Sequence, residues 1–165
     1  MSKKLLRILA INPGTRYIGV AVFEGQELKD WRVRVFRGKW SKWKLRRIKM
    51  LMSDTIDKYE PDVLAIKKLQ LYRSSKNLNR LISVIKRLSK RIGLKVYQYS
   101  IKDLKVFYSP EEKMNKRKLA QLLAFRYPSL WYEFKRERNN RNPYYTRVFE
   151  AAAIGEVCAE QLNNR

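Results

Sequence analysis

Ile8-Leu9-Ala10-Ile11-Asn12-Pro13-Gly14-Thr15-Arg16-Tyr17-Ile18-Gly19-Val20 decides how the rest of the chain is read. Residues 6–11 form a short apolar run ending on Asn-Pro-Gly, a strong turn signal, and residues 17–23 resume with β-branched and aromatic side chains. Glu24-Gly25-Gln26 turns the chain again into residues 28–36, where Trp31, Val33 and Val35 alternate with Arg32 and Arg34. Three consecutive strands on tight turns predict an antiparallel meander with one polar face.

Beyond this meander the apolar period changes. From 42 to 59, Ile48, Leu51, Met52, Ile56 and Tyr59 recur at helical spacing, and Pro61 stops the pattern. Residues 63–66 are short and apolar enough for a buried central strand. A helix over 77–92 follows, ended by Gly93, and 94–99 reads as another strand. Ser109-Pro110-Glu111-Glu112 has the form of a capping box with proline at the first helical position, so a helix is expected from there to about 126. Residues 134–143 are basic and Asn-rich and read as a mobile loop. The last helix, from near 145 to 162, carries Ala151, Ala152, Ala153 and Gly155 for close packing. This order predicts an α/β fold: a mixed five-stranded sheet, the meander plus two further strands, with helices on both faces. With no internal repeat, residues 1–165 are expected to form a single domain.

Composition narrows the chemistry. Of 165 residues, 38 are Lys or Arg and 15 are Asp or Glu, a net charge of +23. With 45% hydrophobic residues the chain is too apolar for a disordered basic tail, so a folded cationic domain with a polyanionic partner is implied. There is no His and Cys158 is the one cysteine. A zinc site of the usual His/Cys kind, a disulfide framework and a His-activated nucleophile are thereby excluded. No apolar run reaches the length of a membrane span, the start reads as a strand rather than a signal peptide, and a cytoplasmic location is expected.

The opening motif resembles the first strand and turn of RuvC-type Holliday-junction resolvases, within the RNase H-like superfamily. The resemblance continues at Pro61-Asp62-Val63-Leu64-Ala65-Ile66, similar to the family's fourth strand, and at Glu150-Ala151-Ala152-Ala153-Ile154-Gly155, similar to its last helix. It implies a domain of RNase H-like fold that binds branched DNA and works as a homodimer; the helix over 77–92, whose apolar stripe continues beyond what one sheet face needs, is the expected interface. It also implies four carboxylates around two divalent ions. Here the matching positions are Asn12, Lys67, Arg147 and Glu150. Their charges sum to +1, where four acids would give −4. The expectation drawn is a binding protein without nuclease activity, metal or cofactor, in which Lys67 pairs with Glu150, Asn12 bonds to one of them, and Arg147 joins the pair or turns toward DNA. The alternatives are a metal-dependent junction-resolving endonuclease with a rearranged acidic site, using Glu150 with acids such as Glu156 or Asp103, and a structural RNA-binding or scaffold protein that uses the basic surface.

For the DNA itself, the aromatic–basic cluster Lys42, Trp43, Lys44, Arg46 and Arg47 suits base stacking with phosphate neutralisation. Tyr72, Arg73 and Lys76 fall where the resembled family has a junction-contacting loop. Arg80, Lys116 and Arg117 lie on polar helix faces and complete the expected contact set.

Overall fold

In the computed structural model, residues 4–69, 75–109, 111, 113–140 and 143–163 are described. The meander consists of β1 (Arg7–Asn12), β2 (Tyr17–Glu24) and β3 (Glu27–Val35). It is followed by α1 (Lys42–Tyr59), β4 (Val63–Lys67), α2 (Lys76–Ile92) and β5 (Lys95–Tyr99). Then come α3 (Ile101–Tyr108), α4 (Lys116–Arg126), a 3-10 turn at Pro128–Leu130, α5 (Trp131–Asn140) and α6 (Pro143–Asn163). The strands form one mixed sheet in the order β3-β2-β1-β4-β5, antiparallel within the meander and parallel at β1–β4 and β4–β5.

Strand alternation sorts the core into two layers. Ile8, Ala10, Ala21, Phe23, Val63 and Ala65 face one way and pack with α6, α4 and α5. Leu9, Ile11, Val20, Val22, Leu64 and Ile66 face the other and pack with α1 and α2. Helix α6 presses against β1 and β2 where two glycines leave room. A Cβ on Gly19 would lie 2.2 Å from the Arg147 carbonyl oxygen, and one on Gly155 would lie 2.3 Å from the Phe23 ring. Among the described residues no helix is long and apolar enough to cross a membrane.

The expected elements are corrected in three places. The helix expected from residue 109 starts at Lys116, capped by the Asn115 side chain, which accepts from the Lys118 amide; Pro110 and Glu112 lie outside the described residues. Most of the expected loop at 134–143 belongs to α5, whose Phe134 packs edge-on against Phe149 and has the Trp131 ring 5.5 Å away. Helix α3 was not foreseen, although Ser100 and Asp103 form a reciprocal capping box at its start.

Candidate nucleic-acid interface and the end of the sheet

Ala10 and Ala65 pair across the parallel β1–β4 ladder and face α6. Two residues further along each strand, on the same face, stand Asn12 and Lys67. Over them α6 places Arg147 and Glu150, three residues and one turn apart. Backbone geometry thus brings all four positions to one end of the sheet.

There the Lys67 ammonium donates to Glu150 Oε2 at 2.9 Å, with the two side chains 13% and 7% exposed. The Asn12 amide donates to the same oxygen at 2.8 Å and to the Arg147 carbonyl at 3.3 Å. The expected ion pair is therefore present, and Asn12 bonds to its acidic member. Arg147 does not join the pair: its guanidinium donates to the Pro13 carbonyl at 3.4 Å, bracing the β1–β2 turn.

Two divalent ions need several hard anionic oxygens, and this donor set does not supply them. Its single carboxylate already carries an ammonium, and Asn12 Oδ1, fully buried, finds no hydrogen-bond partner among the described residues. No group of three or more His, Cys, Asp or Glu among the described residues could hold a metal. The acids considered for a rearranged site are committed elsewhere. Asp103 caps α3. Glu156 is buried against Tyr108, which donates at 2.6 Å, Arg126, which donates at 2.8 Å, and the Tyr127 hydroxyl. Burial first, and then the Glu156 charge, push both tyrosine hydroxyls above their ordinary value.

The expected DNA contacts separate into three groups. Trp43 is 72% exposed with the Arg46 guanidinium 5.2 Å from its ring centre, and Lys42, Arg47, Lys76, Arg80, Lys116 and Arg117 are exposed. Tyr72 and Arg73 lie outside the described residues. Lys44 stands apart from the exposed set: it is 6% exposed, and its ammonium donates to the Gly38 carbonyl at 2.9 Å. Its position explains this, since Lys44, Ile48, Met52 and Ile56 recur every four residues on the buried face of α1. Sequence reasoning also passed over Arg16, which the turn sets beside Lys44 at the same end of the sheet.

Helices α1, α2 and α4 have no acid in the first turn and begin instead with Lys or Arg. This opposes the helix macrodipole, which favours anions at that end. The starts of α1 and α2 follow the ends of β3 and β4, so both lie at the end of the sheet that carries Asn12 and Lys67.

No protein-family model and no curated protein matches the chain. Solved structures do. Thermus thermophilus RuvC in complex with a Holliday junction substrate is similar over 96% of both chains, with a TM-score of 0.73 at 16% identity. The yeast mitochondrial Holliday junction resolvase Ydc2 is similar over 99% of this chain and 84% of its own, with a TM-score of 0.67 at 14% identity. These likenesses overturn one expectation. The structures that share this architecture are RuvC, solved with a Holliday junction substrate, and a Holliday junction resolvase, so Asn12, Lys67 and Arg147 at the site do not show that activity is absent, and the expectation of a non-enzyme is withdrawn. At 14–16% identity the likeness is one of architecture: the chain has the RuvC-like resolvase fold, an RNase H-like mixed sheet with helices on both faces.

Proposed function

We propose that this chain is a junction-directed protein that recognises branched DNA, four-way junctions above plain duplex. The observation that carries this reading is the likeness, over nearly the whole chain, to a RuvC solved with a Holliday junction substrate. The net charge of +23 and the cation-fronted helix starts support it, because phosphate neutralisation supplies most nucleic-acid affinity. Lys42, Trp43, Arg46, Arg47, Lys76, Arg80, Lys116 and Arg117 form the proposed contact set, with Trp43 as the stacking platform. The homodimer belongs to the same proposal. Helix α2 buries Leu81 and Ile85 against its own sheet and leaves Ile92 48% exposed, and this apolar margin is the surface offered to a second copy.

A second reading is favoured by the shared fold with resolvases: a metal-dependent junction-resolving endonuclease with a rearranged acidic site. Of the acids considered, Glu150 alone is at the site, so this reading requires it to exchange Lys67 for other partners on DNA.

Competition between four-way junction, duplex and structured RNA of equal length tests recognition, and incision of the junction in magnesium tests the second reading. Junction preference with incision supports both. Junction preference alone supports the first. Equal affinity for all three nucleic acids removes the junction-directed reading.

A further inference from the structure

From Trp31 to Ser53 the chain holds nine Lys or Arg and no acid. Three cations of this end of the molecule converge: Lys44 and Arg47 on α1, and Arg16 from the β1–β2 turn. Phe36 joins the turn that carries Arg16 to α1, while the Arg16 guanidinium itself stands 5.4 Å from the Tyr17 ring centre. The Phe36 amide donates to the Arg16 carbonyl at 2.7 Å, and the Arg47 guanidinium stands 5.8 Å from the Phe36 ring centre. Gly38, two residues on, holds a left-handed backbone (φ 93°), and its carbonyl receives one N–H of Lys44. An ammonium has three donors, so two remain. None of the ion pairs among the described residues includes Arg16, Lys44 or Arg47.

Such a trio is costly by itself. Burial, and then the charges of Arg16 and Arg47, hold the Lys44 ammonium below its ordinary value, and no carboxylate among the described residues pairs with it. A buried amine among like charges is stabilised by an anion with several acceptor oxygens. The start of α1 adds its own partial positive charge, with Ser41 capping the Lys44 amide and no acid in the first turn.

We propose that Arg16, Lys44 and Arg47 form a binding site for one phosphate group, supplied by the backbone of bound nucleic acid. The site deepens the junction-directed reading, on which its DNA source rests: it fixes one phosphodiester beside the end of the sheet that carries Lys67 and Glu150. Lys44 is the inner donor, held in place by Gly38, while Arg16 and Arg47 close from the exposed side.

Arg16→Gln, Arg47→Gln and the double variant test this, because both positions are exposed and tolerate replacement without unfolding; Lys102→Gln on α3 is the distant charge control. Melting temperature is followed against inorganic phosphate at constant ionic strength, and junction affinity against salt. Phosphate should raise the melting temperature of the wild type and of Lys102→Gln saturably, and not that of the arginine variants. On DNA, each single variant should weaken junction binding about tenfold. Each should also lower the slope of log affinity against log salt by about one, and the double variant by no more, because both arginines serve one phosphate. A non-additive slope without a phosphate-dependent rise assigns the site to the backbone diester. A rise with unchanged slopes assigns it to a free phosphate. Slope losses that add to about two, with no rise, overturn the site and leave independent surface cations. If the wild type shows no junction preference, the junction reading fails, while the phosphate titration still judges the site.

Discussion

Glu150 and Glu156 stand six residues apart on α6, and both are about 5% exposed, yet the protein satisfies them in opposite ways. Glu150 receives one ammonium and one amide, both on Oε2, at the end of the sheet. Glu156 receives two phenolic hydroxyls and a guanidinium spread over both oxygens, and these come from α3, α4 and the turn after it. The first arrangement joins two strands and a helix through one side chain of each. The second ties three peripheral segments to the central helix and shares the charge among redundant donors. Each has one cation, but Glu150 has only one further donor, on the same oxygen, and is therefore the more vulnerable of the two.

The largest expected effect follows from that difference. Lys67→Ala leaves Glu150 buried with only Asn12, and should lower stability by about 3–5 kcal/mol. Arg126→Ala should cost about 1.5–3 kcal/mol at most, because that side chain is 49% exposed and two tyrosines still hold Glu156. Chemical denaturation of both variants compares them directly, and equal losses would break the distinction. Lys67→Met/Glu150→Gln, which removes both charges, should recover most of the Lys67→Ala loss.

A second effect sharpens the likeness to the resolvases. Asn12→Asp alone sets two carboxylates in hydrogen-bond contact, so one must hold its proton or the fold must loosen, and stability should fall by about 1–3 kcal/mol in metal-free buffer. Adding Lys67→Glu and Arg147→Asp restores four acids at the end of the sheet. The quadruple-acid protein should then gain several degrees of melting temperature in millimolar magnesium beyond any gain of the wild type. The same titration around Glu156 should show no such gain. If magnesium leaves the quadruple-acid protein unmoved, the residue-by-residue alignment of these four positions is wrong.

How much of this was legible in the sequence differs by region for a physical reason. The meander, β4 and α6 were readable because their apolar residues recur without interruption and their ends carry Pro or Gly signals. Positions 12, 67, 147 and 150 became a site through three short stretches in the right order. Helix α3 buries only Leu104, and α5 carries one docking edge, Trp131 and Phe134, in an otherwise charged segment; neither length shows a helical period. The Glu156 cluster was invisible for a different reason. Its donors, Tyr108, Arg126 and Tyr127, are far from it in sequence, and only the way α3 and α4 fold back on α6 brings them together. The burial of Lys44 was legible too, since its four-residue spacing to Ile48 places it on the buried face of α1.

The smallest effect separates the two carboxylates by pH. Burial, and then Glu156, raise the folded-state values of the Tyr108 and Tyr127 hydroxyls above the ordinary tyrosine value of 10.0. The sign follows from which state holds the proton. Below pH 10 the hydroxyls are protonated in both states, and their contribution to stability is fully present. As pH rises above 10, the unfolded chain releases these protons while the folded one keeps them, so stability is lost with increasing pH. Each tyrosine adds about one proton to that slope. Tyr108→Phe and Tyr127→Phe should each flatten the alkaline limb by about one proton per molecule, at the expense of a donor to Glu156. Denaturation midpoints between pH 9 and 11 measure this, and an alkaline limb that is the same in both tyrosine variants as in the wild type would show that the Glu156 cluster does not hold its protons as described.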